Sequence, residues 1–385
     1  MASGFVIGDR GLGAAGDTHP AWSIGHAEVG SYLVVGASAI GRLHLAHGQP
    51  RDDAFVVRAV GEWLAAAIAD GLGSRPFSRF GATYAVESLT AQLLRILATP
   101  GNFTSHVANA IPREWLDMAP LPDIEPVSMR LATVSERPVN PSGRKKRPAL
   151  GVLAKPRYQR VSSVALSHGR LVTMRQAGSI GWWPIVDRQQ TLGENQVSTG
   201  QLDLNQIMRD AFEKTHLGLR EHARGLGLEL AELGCTALAL LFNWRDGRIA
   251  VGQVGDGAIL GLTDTDLREL IATEDTGDPQ ATYTLTGVNF SSHLTTVAID
   301  STEAQKIRAI YLMTDGVSND LLYSPRTPAF VEWARRVKRN LILSQSPAQA
   351  AVGMLNWLAT YRVTGSWDDR TLVVITRKEE PNADY

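Results

Sequence analysis

Strand-like and helical segments come in blocks along this chain, and that grouping most constrains its architecture. The stretch "SYLVVGASAIGRLHLAHG" (31–48) reads as two short strands, and "AVGEWLAAAIADG" ends in a third that delivers Asp70. Two segments with apolar residues at helical spacing follow, at 81–98 and 204–227. Between 235 and 262 two strands flank the turn Arg245-Asp246-Gly247 and a third comes after them. A further strand runs to Asp315. "EWARRVKRNLILS" and "SPAQAAVGMLNWLATYRV" are then predicted helices, the second with Ser346 as its N-cap. "DDRTLVVITRK" (368–378) closes the chain's regular pattern as a last strand. Strands grouped with strands, and helices with helices, predict an α+β sandwich of sheets covered by helices rather than a parallel βαβ sheet.

The 385 residues, 44% of them hydrophobic, can bury a large core. A formal net charge of -1 gives no electrostatic case for nucleic acid or a membrane surface as the main partner. The single cysteine, Cys235, has no internal disulfide partner, which fits a reducing cytosol. No apolar run is long enough to span a bilayer, and "MASGFVIGDRG" lacks the pattern of a secretion signal. A soluble, cytoplasmic, monomeric protein is expected. One domain over 1–385 is predicted, with a basic, Pro- and Gly-rich insertion at about 120–200.

An acidic grammar recurs at the ends of the strands. Asp52-Asp53, Asp70-Gly71, Asp315-Gly316 and Asp368-Asp369 each stand at the mouth of an apolar run, and Asp256-Gly257 lies in a turn between strands. Carboxylates and exposed carbonyls are hard oxygen ligands suited to Mg²⁺ or Mn²⁺. No His/Cys cluster at zinc spacing accompanies them. Aspartates brought together repel one another and rise in pKa unless cations neutralise them. Taken singly, an Asp-Gly pair at a strand end is an ordinary turn; the combination points to a metal.

In order, "RLHLAHGQPRDDAF", "IADGLGSRPFSRFGA", "GCTALALL", "VGQVGDGAIL", "LMTDGVSNDL" and "WDDRTLVVI" resemble the motifs of the metal-dependent protein phosphatase 2C family, most of all its bacterial branch. The resemblance implies a four-layer sandwich, two central antiparallel β-sheets flanked by helices. It also implies a serine/threonine phosphoprotein phosphatase, with phosphorylated proteins as substrates and a cognate Ser/Thr kinase as a partner. By that resemblance Asp53, Asp70, the Gly71 carbonyl, Asp315 and Asp368 would hold two Mn²⁺ or Mg²⁺ ions, Asp70 bridging both. Asp256 could help hold a third. Gly234-Cys235-Thr236 matches a structural strand start, and Asp369 falls where the family usually has Asn. A hydroxide shared by the two ions would attack phosphorus in line.

The match departs at two places. Many members place an Arg five residues before the first aspartate ligand, and here that position is Gly48. Arg42, His44, His47 and Arg51 are the nearby alternatives, with Arg42 the better fixed cation and His44 able to bind a phosphate oxygen or the nucleophilic water. A packed or exposed strand histidine is the competing account of His44. Leu72 follows Asp70-Gly71 where some eukaryotic members use a His as general acid, so leaving-group protonation would fall to water or to His44.

"GLGAAG" (11–16) satisfies a dinucleotide fingerprint without its strand-and-helix context, and Cys235 lacks the following Arg that a cysteine phosphatase needs. Trp182-Trp183 could face a partner or pack in a core, and "GRKKRP" (143–148) could meet an acidic partner or stay solvated. The second functional reading is a catalytically weak phosphatase-fold regulator or scaffold that binds phosphoproteins.

Overall fold

The structure is a computed structural model that describes residues 3–7, 19–97, 203–272, 282–321, 328–363 and 366–378. The basic insertion at 120–200, with Trp182-Trp183 and the 143–148 basic run, and the "GLGAAG" stretch lie outside these residues.

Among the described residues, twelve strands form two antiparallel sheets. The first is ordered β1 (Ser3–Ile7), β2 (Trp22–Val29), β3 (Tyr32–Ala39), β12 (Arg370–Arg377), β11 (Ala309–Met313), β8 (Ala258–Leu262) and β9 (Leu267–Glu269). The second is ordered β10 (Thr295–Ile299), β7 (Ile249–Val254), β6 (Ala237–Asn243), β5 (Trp63–Ala69) and β4 (Ala54–Val60). Every pairing is antiparallel.

Alternation along the central strands sorts their side chains between two cores. Leu64, Ala66 and Ile68 of β5 face the first sheet, where they meet Ile259, Leu312 and Val373. Ala65, Ala67 and Ala69 face outward against α2 (Ser78–Leu97) and α3 (Leu204–Leu226). A strand buried on both sides reads as a continuous apolar run, which is what "WLAAAIA" is. Leu64 and Ile68 are fully buried, and each such side chain contributes about 1.5–3 kcal/mol. On the far side of the first sheet lie the helices Pro328–Arg336 and Pro347–Thr360, with a π-helical continuation over Val337–Leu343 between them. The order helix, sheet, sheet, helix is the α+β sandwich expected from the strand and helix pattern, in the four layers that the family resemblance implies.

Ser346 caps Pro347–Thr360 through a reciprocal capping box with Gln349. Two local readings are corrected. Residues 31–48 form one strand, β3, and one short helix, α1 (Arg42–His47), instead of two strands. Asp315 does not end a strand but opens the helix Asp315–Leu321. No helix among the described residues is long and apolar enough to cross a membrane. Cys235 is a free, buried thiol, which burial pushes up to about 12, so it is no nucleophile.

Candidate metal centre

Strand ends of both sheets deliver the acids to one place. Asp70 leaves β5 with its main chain pinned: its N–H donates to Thr236 Oγ1 (3.2 Å), and its carbonyl accepts from Thr236 N (2.8 Å). Gly71 then bridges Cys235, flanked by Leu72 N–H donating to the Gly234 carbonyl (2.9 Å). A Cβ on Gly71 would stand 2.9 Å from the Asp52 carbonyl oxygen, so glycine lets the β4 entrance pass. From the other sheet, Asp315 follows β11 and Asp368 precedes β12.

The structure brings Asp70, Asp315 and Asp368 together, with one carboxylate oxygen of each within 4.8 Å of the others. Asp53 lies behind them, fully buried. Its Oδ2 accepts from Thr314 Oγ1 (2.9 Å) and Thr371 Oγ1 (2.6 Å), and its carboxylate is within hydrogen-bonding reach of Asp70. The Oδ1 atoms of Asp53 and Asp315 are buried with no hydrogen-bond partner.

Burial, and then the charges of their neighbours, push these carboxyls upward. For Asp53 the main neighbour is Asp369, and for Asp70 they are Asp53 and Asp315. Asp315 rises to about 7, with Asp368 the strongest charge beside it. A cluster of desolvated carboxylates with orphaned oxygens fits a divalent cation by its donor chemistry, because a hard dication would satisfy those oxygens and offset the repulsion. Asp256 stands in the β7–β8 turn outside the three-carboxylate group; burial raises its carboxyl, and its charge still reaches Asp315 and Asp368.

The remaining candidates lie elsewhere. His44 sits on α1, not on a strand, and is buried: its Nδ1 is 3.0 Å from Asp369 Oδ2 and its Nε2 3.8 Å from Asp52 Oδ2. The Arg42 guanidinium donates to the Tyr361 carbonyl (3.4 Å). Arg51 is buried, donating to the Pro20 carbonyl and to Ser23 Oγ, and its charge acts on Asp369, Asp53 and Asp52. His47 is exposed. Gly48 is the left-handed C-cap of α1 (φ 65°), its N–H donating to the carbonyls of His44 and Leu45. An arginine there would be strained, which accounts for glycine at that position.

The sequence reading missed how Asp369 works. Its Oδ1 accepts from Gly41 N (2.5 Å), and its Oδ2 accepts from Asp52 N (2.5 Å) as well as pairing with His44. One buried carboxylate thus ties together the start of α1, the entrance to β4 and the entrance to β12. Thr314 and Thr371, which hold Asp53, were also missed. Their place beside the acids, in "MTDG" and "DDRT", was the available signal.

Two packed antiparallel sheets lie inside two helical layers, with three carboxylates gathered at one end of the strands. The chain belongs to the protein phosphatase 2C family, whose sequence profile matches residues 40–146 and 172–358. No curated protein sequence matches it. Similar solved structures include a sex-determining protein of C. elegans, 10% identical with a TM-score of 0.49, the match covering 91% of this chain and 66% of that one. Serine-threonine phosphatase 2C from Toxoplasma gondii is 12% identical with a TM-score of 0.46, covering 92% and 97%. The Mycobacterium tuberculosis serine/threonine phosphatase PstP/Ppp is 14% identical with a TM-score of 0.40, covering 90% and 99%.

Proposed function

We propose that this chain is a divalent-cation-dependent serine/threonine phosphoprotein phosphatase. The observation that carries the reading is the convergence of Asp70, Asp315 and Asp368 beside the unpartnered oxygens of Asp53 and Asp315. Membership of the protein phosphatase 2C family supports it. An all-oxygen donor set suits Mn²⁺ or Mg²⁺. Asp53, Asp70, Asp315, Asp368 and the Gly71 carbonyl would hold two such ions, and Asp256 a weaker third. Bound there, the ions would supply a nucleophile at neutral pH and offset charge on the phosphoryl oxygens.

The chain's own residues then set the geometry. Thr314 and Thr371 orient Asp53, Thr236 fixes Asp70, and Asp369 holds the loops that carry the acids. His44, bonded to Asp369, serves that scaffold, and its role would be to keep Asp52 and α1 in place. The substrates are phosphorylated proteins, and the implied partner is the serine/threonine kinase that writes the mark.

Phosphate release from a phosphothreonine peptide tests the reading. Mn²⁺ or Mg²⁺ should support release and excess EDTA should abolish it; full turnover in EDTA overturns the metal dependence. Phosphopeptide binding without release under any divalent ion would favour the regulator reading.

A further inference from the structure

A second buried polar network lies just behind the acids, and the proposed chemistry does not use it. Asp320 is on the helix that Asp315 opens, which we label α4 (Asp315–Leu321), and Arg370 is the first residue of β12, two positions after Asp368. Asp320 Oδ2 accepts from the Tyr361 hydroxyl (2.9 Å), Ser366 Oγ (2.6 Å) and Arg370 Nη2 (3.2 Å). Arg370 Nη1 donates to the carbonyls of Leu358 (2.9 Å) and Tyr361 (3.1 Å), at the C-terminal end of the helix Pro347–Thr360. Its guanidinium also stacks 3.9 Å from the centre of the Tyr361 ring. The Tyr361 hydroxyl reaches back to the carbonyl of Gly316, the neighbour of Asp315 (3.4 Å). The Arg370 and Asp320 side chains are only 5% and 7% exposed.

A buried ion pair is poor value as a source of stability. Desolvating the two charges offsets most of their attraction, and apolar replacements of similar volume are often neutral or better. What this pair does have is position. It joins the element carrying Asp315 to the element carrying Asp368, and those two carboxylates repel each other. We propose that the Arg370–Asp320 pair is a positioning device that holds Asp315 and Asp368 at cation-binding spacing. This rests on the reading of the acids as a metal centre. Partners hydrogen-bonded directly to metal-ligating side chains are worth about 10–100-fold in metal affinity, and this pair acts on the ligands through the elements that carry them.

The test is calorimetric titration of Mn²⁺ into the full chain, alongside urea unfolding in chelator. The double variant Asp320→Leu/Arg370→Met should stay folded in the absence of urea, with a lower urea midpoint because Ser366 and two carbonyls lose their partners, and should bind Mn²⁺ about tenfold more weakly or worse. Wild-type affinity in the folded double variant overturns the inference and leaves the metal centre standing. If the double variant does not fold, Arg370→Lys decides, since it keeps the charge but not the paired carbonyl contacts or the stacking. It should weaken Mn²⁺ binding measurably, and unchanged affinity overturns the proposal. A wild-type protein that takes up no Mn²⁺ removes both this inference and the reading beneath it.

Discussion

Nδ1 of His44 lies 3.0 Å from Oδ2 of Asp369, a buried pair between residues 325 positions apart in the chain. The hydrogen bond to Asp369 pushes the His44 imidazole up to about 9, against the opposing effect of burial. The folded pKa is therefore above the unfolded one, about 6.5. The pair's stabilisation is fully present below that lower value and is lost as pH rises through about 9. In chelator, His44→Gln should lower the urea midpoint clearly at pH 6 and much less at pH 10. An equal loss at both pH values would mean that the charge on His44 contributes nothing.

Asp369→Asn should not be silent, although Asn is the residue the family usually has there. Both carboxylate oxygens accept from backbone N–H groups, of Gly41 and of Asp52. An amide must set its own NH₂ against one of those donors. Leaving a buried donor unpaired costs about 1–3 kcal/mol. Urea unfolding of the apoprotein measures it, and an unchanged midpoint would show that the loop relaxes around the amide.

Gly316→Ala should disrupt the centre by sterics alone. A Cβ on Gly316 would stand 1.9 Å from the Asp369 carbonyl oxygen, inside any allowed contact. Either α4 or the residues preceding β12 must shift, and overpacking of this kind costs about 1–3 kcal/mol or more. Asp315 and Asp368 ride on those two segments. Stability and Mn²⁺ affinity should therefore fall together; a variant with both intact would show that the approach is not tight.

Asp315→Asn should separate stability from function. Its carboxyl, raised to about 7, favours folding while protonated, and that contribution disappears as pH rises through about 7. In chelator at pH 8 the Asn variant should melt above wild type, with the difference vanishing near pH 4. Mn²⁺ should raise the wild-type melting temperature and barely move the variant's, because only the former gains from ion binding. Phosphatase activity should fall by orders of magnitude. A variant melting below wild type at pH 8 would mean that carboxylate repulsion is not a cost in the apoprotein.

The α+β class, the blocks of strands and helices, the Ser346 cap and the set of aspartates standing at strand ends are all legible in the order of residues alone. These are local signals: side-chain period, turn chemistry and capping act over a few residues. The "GRLHLAHG" stretch escaped the same reasoning because leucines two apart suit a strand as well as a single helical turn. There the tertiary structure decided. Pairing of β3 ends at Ala39, and Gly41 must pass against the Asp368 backbone, where a Cβ would lie 2.3 Å from the carbonyl carbon. The chain turns into α1, and His44 is carried into the interior toward Asp369. Which acid ends up beside two other acids, which accepts from backbone N–H groups, and which pairs with a buried arginine depends on contacts spanning 50 to more than 300 positions. Asp315 and Asp320 share one helix, as Asp368 and Asp369 share one turn, and their residue types are the same. Only the packing of two sheets and three helix ends gave one member of each pair an open neighbour and the other a buried donor.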